Sequence, residues 1–208
     1  MPKAAVLGSP IAHSKSPLLH NAAYRALSLP WTYERFEVQA RELPEFVAQH
    51  RASFQGFSCT MPLKEAAFSL SDWRSEAAAS TGAVNTLVFG DDIRGYNTDV
   101  VGFQQALHFA GYPIPDAVTI LGTGATARSA AIAMVQSAVR EFHIVGRRIE
   151  ALQSFAEWLR HHGVTVYIHA WNAPTPATPI TFSTVVAGAT DERRVPDAPG
   201  LLFDLSLI

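Results

Sequence analysis

The sequence predicts an α/β protein of two successive units. An N-terminal α/β unit with a mostly parallel sheet occupies residues 1–98, and a Rossmann-type nucleotide-binding unit occupies residues 99–208. Three observations predict this. Short apolar runs alternate with helical stretches, the pattern of parallel strands with helices on their faces. One apolar run, residues 118–121, leads directly into Gly122-Thr123-Gly124-Ala125-Thr126-Ala127 and then an alanine-rich stretch. Strand, glycine turn and helix in that order is the context a dinucleotide fingerprint needs. Finally, a helix starting within residues 97–101 leads from one set of alternating elements into the next, which sets the boundary.

Residues 3–7 read as a short strand ending at Gly8. Ser16-Pro17 reads as an N-cap followed by proline in the first helical position. That helix runs to about Leu27, with Leu18, Ala22 and Leu29 turned inward, and Pro30 stops it. Residues 31–38 read as a strand, 42–49 as a helix and 54–59 as a third strand, and Met61-Pro62 opens another helix. Residues 72–80 read as mostly helical. Gly90-Asp91-Asp92, between the apolar runs 83–89 and 93–96, reads as a hairpin turn. Thr98 or Asp99 caps a helix that ends near Gly111. The second unit continues with strands at 118–121, 142–145 and 164–169 and helices at 125–138 and 149–162. A Pro/Thr loop at 172–181 follows, then strands at 182–186 and 201–205.

Composition narrows the function. With 16 basic and 18 acidic residues the net charge is −2, which gives no electrostatic reason to expect nucleic acid as a partner. A single cysteine, Cys59, excludes a disulfide framework and points to a reducing compartment. No apolar run approaches the roughly 20 residues that span a bilayer. A cytoplasmic protein with no membrane partner is the expectation. The histidines show no ligand spacing, so no metal is expected. Cys59 reads as a small buried residue, and Trp31, Trp73, Trp158 and Trp171 as packing.

Five stretches could carry chemistry. Ser14-Lys15-Ser16-Pro17 puts two hydroxyls at a helix start, where they and backbone N–H groups can receive a carboxylate. The plainer reading is that Ser16 caps the helix and Ser14 is solvated. Thr60-Met61-Pro62-Leu63-Lys64 ends a strand and opens a helix. A lysine in a first helical turn faces the positive end of the dipole, which disfavours its charge and suits proton transfer. Asn97-Thr98-Asp99 could cap a helix only, or Asp99 could be a carboxylate working with Lys64. In the glycine turn, Gly122 permits the tight bend, Gly124 lets backbone approach a pyrophosphate, and Ala127 lets helix and strand pack closely. After the strand at 142–145, where an NAD site carries an acid, stand Arg147 and Arg148. Two arginines suit a 2′-phosphate and disfavour NAD.

Taken in order, GSPIAHSKSPLLHN (residues 8–21), TMPLKE (60–65), GAVNTL (82–87), GYNTDVVGF (95–103) and GTGATARS (122–129) closely resemble the shikimate dehydrogenase family. The resemblance implies NADPH-dependent, reversible reduction of 3-dehydroshikimate to shikimate, in the route to aromatic amino acids and chorismate. It implies that Ser14 and Ser16 hold the substrate carboxylate and that Thr60 and Asn85 bond its ring hydroxyls. Lys64 and Asp99 would be the catalytic acid–base pair. Gly122, Thr123, Gly124, Ala125, Thr126, Ala127, Arg147, Arg148 and Thr184 would bind NADP. A monomer or homodimer with small-molecule partners is expected.

The sequence departs from the family pattern at Ser58, where asparagine is usual, at Gly146-Arg147-Arg148, which lacks the usual asparagine amide, and at Leu207, where tyrosine is common. The resemblance further implies a C-terminal segment that returns to the first unit and adds a glutamine to the substrate site. Its lack in this chain predicts an exposed apolar surface. Two alternative readings are a quinate/shikimate dehydrogenase that prefers NAD, and a non-catalytic ligand-binding remnant.

Overall fold

In the computed structural model, which describes residues 1–185, 189 and 200–204, the first apolar run becomes β1 (Lys3–Gly8), buried from Ala5 to Leu7. The chain divides into two units, Met1–Thr98 and Asp99–Ile208. The first continues with α1 (Ser16–Ala26), β2 (Thr32–Glu37), α2 (Leu43–His50), β3 (Gly56–Cys59) and α3 (Lys64–Leu70). It ends with β4 (Trp73–Arg74), α4 (Glu76–Thr81), β5 (Thr86–Phe89) and β6 (Ile93–Tyr96). The sheet order is β2-β1-β3-β5-β6-β4, and only β5 runs against the others. Alternation on β1 sends Ala5 and Leu7 to the larger core with Leu43, Val47, Phe57, Leu63 and Leu87. Val6 points to the opposite face, with Ile11 and Tyr33.

Three expectations for this unit are corrected. Residues 72–80 are not one helix: Trp73 and Arg74 pair with Arg94 and Gly95 as an edge strand. Ser75 then caps α4, its hydroxyl accepting from the Ala78 N–H at 3.2 Å. Met61-Pro62 does not open α3. The Leu63 N–H donates to Thr60 O at 2.7 Å, so these residues form a turn and the helix begins at Lys64. Leu18, Ala22 and Leu29 do not face inward. Leu18 and Leu29 are 69% and 44% exposed, and Ala22 is exposed. The half-buried stripe of α1 is instead Pro17, Asn21 and Tyr24, at helical spacing. The Asn21 amide grips β2, donating to Tyr33 O and accepting from Tyr33 N, both at 2.9 Å. This polar clamp, not leucine burial, orients the helix. The leucines of α1 and the residues just after it (Leu18, Leu19, Leu27, Leu29) stay largely exposed.

The second unit contains α5 (Asp99–Phe109), β7 (Ala117–Leu121), α6 (Ala125–Gln136), β8 (Glu141–Gly146) and α7 (Ile149–Arg160). After them come β9 (Thr165–Ala170), β10 (Ile180–Ser183) and β11 (Leu201–Asp204). Its described strands form a parallel sheet of order β11-β10-β7-β8-β9. Val118, Ile120, Phe142, Ile144, Ile180 and Phe182 are buried. The amphipathic α7 buries Leu152, Phe155 and Leu159. The order reverses at β7, with β8 and β9 on one side and β10 and β11 on the other. Ligands of open α/β sheets bind beyond the strand ends at such a point. The readings at Val186, Leu205 and Leu207 fall outside the described residues. None of the described helices is long and apolar enough to cross a membrane.

Candidate functional site

In the first unit the motif stretches meet at one edge of the sheet. β1 and β3 end there, β5 starts there and β6 ends there, as the register of Ser58 with Thr86, and of Thr86 with Tyr96, requires. The Ser9 N–H donates to Met61 O at 3.0 Å and the Thr60 N–H to Leu7 O at 2.9 Å. The Ser9-Pro10 and Met61-Pro62 peptide bonds are both cis. A Cβ added at Gly8 would lie 2.5 Å from Thr60 Cγ2, so only glycine lets the two loops approach this closely. The Cys59 N–H donates to Asn85 O at 2.7 Å, and the Val84 N–H to Lys64 O at 2.9 Å. Backbone bonds thus tie the segment that carries Thr60 and Lys64 to the separate motif that carries Asn85.

Ser14 and Ser16 do not take the roles that the plainer reading assigned. Lys15, not Ser16, is the N-cap of α1, and Pro17 follows Ser16 within the first turn. The Ser14 hydroxyl accepts from the Ser16 N–H at 3.3 Å. Arg35 of β2 holds this loop from behind, donating to Ala12 O at 2.8 Å and Ser14 O at 3.3 Å. Nothing in the local sequence signals that tether.

The Asn85 side chain binds the next motif. Its Nδ2 donates to Thr98 Oγ1 at 2.9 Å, and its Oδ1 accepts from the Thr98 N–H at 3.1 Å. Asn97 is buried and donates to Thr81 Oγ1 at 2.9 Å. The NTD stretch is thus fastened to the first unit up to Thr98, and Asp99, half-buried, opens α5 and the second unit.

Two more residues belong to this edge. Ser58 accepts a 2.6 Å hydrogen bond from the Tyr33 hydroxyl. Tyr33 is 5% exposed and stacks on His20, centroids 4.1 Å apart. Burial raises its hydroxyl above the ordinary tyrosine value. Cys59 is 2% exposed, and burial pushes its thiol up to about 12, with Lys64 pulling weakly the other way. A thiol held neutral by burial is no nucleophile, which agrees with Cys59 as a core residue.

In the second unit the glycine turn leaves β7 directly. The Gly122 N–H donates to Val145 O at 2.9 Å. Gly122 has φ +107°, and a Cβ there would lie 2.5 Å from Thr184 Oγ1. Thr184 donates from its hydroxyl and its N–H to Leu121 O, at 2.8 and 3.0 Å. Its hydroxyl thereby closes the turn from the β10 side. Gly124 is the N-cap of α6, with no side chain capping the helix. Among the described residues, a Cβ at Gly124 would meet nothing within 4 Å, which leaves this side of the turn open to them. Ala127 is fully buried against the sheet, while Thr123, Ala125 and Thr126 are half-buried on the turn and first helical residues. An uncapped helix start beside an open glycine fits a pyrophosphate. Arg147 and Arg148, both exposed, follow β8. Arg147 lies over the Trp171 ring, its Cζ 5.9 Å from the centroid. This donor set fits a dinucleotide carrying a 2′-phosphate.

The family model for the shikimate dehydrogenase substrate binding domain matches residues 6–87. A shikimate dehydrogenase (NADP(+)) from Methylobacterium radiotolerans is 36% identical over 99% of this chain and 73% of its own length. Another, from Methanococcoides burtonii, is 41% identical over 74% of this chain, and that match spans 57% of the relative. Among solved structures, the shikimate 5-dehydrogenase of Thermus thermophilus in complex with NADP(H) and shikimate superposes with a TM-score of 0.84. It is 30% identical and is matched over 99% of this chain and 79% of that one.

Proposed function

The chain belongs to the shikimate dehydrogenase family, and from that premise we propose that it catalyses the NADP-dependent interconversion of 3-dehydroshikimate and shikimate. The observation that carries the reading is that Thr60, Lys64 and Asn85 meet at one sheet edge, from which the loop carrying Ser14 and Ser16 leaves β1 and is bonded to the Met61 turn through Ser9. These are the residue types that a hydroxylated carboxylic acid requires: hydroxyls at a helix start for the carboxylate, an amide and a hydroxyl for the ring, and one ammonium for proton transfer.

In the reduction direction Lys64 gives a proton to the carbonyl oxygen of 3-dehydroshikimate as that oxygen becomes a hydroxyl. In the reverse direction it takes the proton back. Asp99 is the second member of the acid–base pair, accepting a hydrogen bond from the substrate hydroxyl and sharing its proton transfer with Lys64. Ser14 and Ser16 hold the carboxylate, and Thr60 and Asn85 hold ring hydroxyls. The Gly122–Ala127 turn and α6 would hold the pyrophosphate, with Thr184 bracing the turn, and Arg147 and Arg148 would hold the 2′-phosphate. Bound NADPH supplies the hydride that completes the reduction.

The test is turnover of shikimate and of quinate, each with NADP+ and with NAD+. The reading expects shikimate with NADP+ to give the highest kcat/KM. Faster turnover of quinate with NAD+ would overturn it in favour of a quinate/shikimate dehydrogenase. Binding of shikimate with no turnover on any pair would make the chain a ligand-binding protein instead.

A further inference from the structure

We propose, resting on the nucleotide reading above, that Trp171 is the positioning residue that holds Arg147 for the 2′-phosphate, and so contributes to selecting the phosphorylated dinucleotide. Arg147 and Trp171 stand at matching places on neighbouring strands. Gly146 pairs with Ala170 in the parallel register of β8 and β9, and the next residue on each strand is Arg147 or Trp171. Arg147 follows the carboxyl end of β8, the neighbour of β7, and Trp171 that of β9, one strand further out, while the end of β7 itself carries the Gly122 turn. This is the edge where such sheets bind nucleotides.

The guanidinium is exposed, the indole is half-buried, and Arg147 Cζ lies over the ring 5.9 Å from its centroid, within cation–π range. An exposed arginine samples many rotamers, and fixing it costs conformational entropy on binding. A planar guanidinium lying on an indole face loses part of that freedom beforehand. Its N–H edge stays available for phosphate oxygens. The indole itself sits on an anchored segment. The Ala173 N–H donates to Ala170 O at 3.0 Å, which makes a turn of residues 170–173. Further along, Thr175 is buried, Thr178 Oγ1 bonds Thr119 Oγ1 at 2.8 Å, and Tyr112 donates to Pro179 O at 2.9 Å. The platform under Arg147 is therefore tied back to β7.

The test is direct binding of 2′,5′-ADP and of 5′-AMP, which differ only by the 2′-phosphate, measured by calorimetry without turnover. The full chain should bind 2′,5′-ADP at least about tenfold tighter than 5′-AMP. Trp171→Ala should weaken 2′,5′-ADP about fivefold and 5′-AMP less than about twofold. Trp171→Phe, which keeps a ring face, should restore most of the difference. Trp171→Leu, which keeps apolar bulk without the face, should behave like Trp171→Ala and serves if the alanine variant fails to fold. In an Arg147→Ala background, Trp171→Ala should have no further effect on 2′,5′-ADP. Equal weakening of both nucleotides, or of neither, would overturn the positioning role while leaving the nucleotide reading intact. If the unaltered chain fails to distinguish 2′,5′-ADP from 5′-AMP, the phosphate reading of Arg147 is wrong and the role of Trp171 falls with it.

Discussion

The Tyr33 hydroxyl donates to Ser58 Oγ at 2.6 Å, joining β2 to β3 across β1 on the smaller-core face of the first sheet. Tyr33→Phe should lower unfolding stability by about 1 kcal/mol, the net worth of one such bond. Ser58→Ala should cost a similar amount, and the double variant clearly less than the sum. Urea unfolding of the four proteins measures this, and strictly additive costs would show that the bond contributes nothing.

Cys59 makes stability fall in alkali. Its thiol is raised from 9.0 to about 12 by burial. Between those values the unfolded chain has lost the proton while the folded chain keeps it, so the folded state binds more protons. Stability is complete below pH 9 and declines above it, by up to about 1.4 kcal/mol per pH unit from this residue. Cys59→Ala should flatten that part of the pH profile, whatever its cost at neutral pH. An identical alkaline slope in both proteins would refute the assignment.

Lys64→Ala and Asp99→Asn should each lower kcat at least about 100-fold, the usual contribution of a general acid or base. KM for shikimate should move far less, because the losses fall on the transition state. Steady-state kinetics at saturating NADP+ decides it. A kcat that survives either change within about threefold would remove that residue from proton transfer.

Gly122→Ala should destabilise the second unit by about 1–3 kcal/mol. The cost has two parts: a φ of +107° and a new Cβ set 2.5 Å from Thr184 Oγ1. Adding Thr184→Ala should relieve only the second part, so recovery should be partial. Full recovery in thermal unfolding would mean that the backbone conformation costs nothing.

What could be read along the chain was what neighbours in sequence decide. The run before Gly122, the glycine pair and the alanine-rich stretch are one continuous segment, so strand, turn and helix follow from its own residues. The hairpin about Gly90-Asp91-Asp92 and the alternation of strands and helices are equally local. Where local signals competed, they misled. Ser16-Pro17 looked like a cap, yet Ser14 accepts the Ser16 N–H, because Arg35, two strand positions beyond Tyr33, fixes the loop. The leucines around α1 looked like its inner face, yet Asn21 and Tyr24 turn inward, because the sheet offers Tyr33 backbone groups there.

The sequence by itself determined the α/β alternation, the glycine turn and which polar residues stand at strand ends. These depend on periodicity, on backbone freedom at glycine and on capping within a few residues. Only the tertiary structure decided that Asn85 shares an edge with Thr60 and Lys64, that Ser58 bonds Tyr33, and that Arg147 lies over Trp171. Each of those contacts joins separate elements. Strand order and register set them, and those are chosen by burial of the whole apolar core rather than by any one segment.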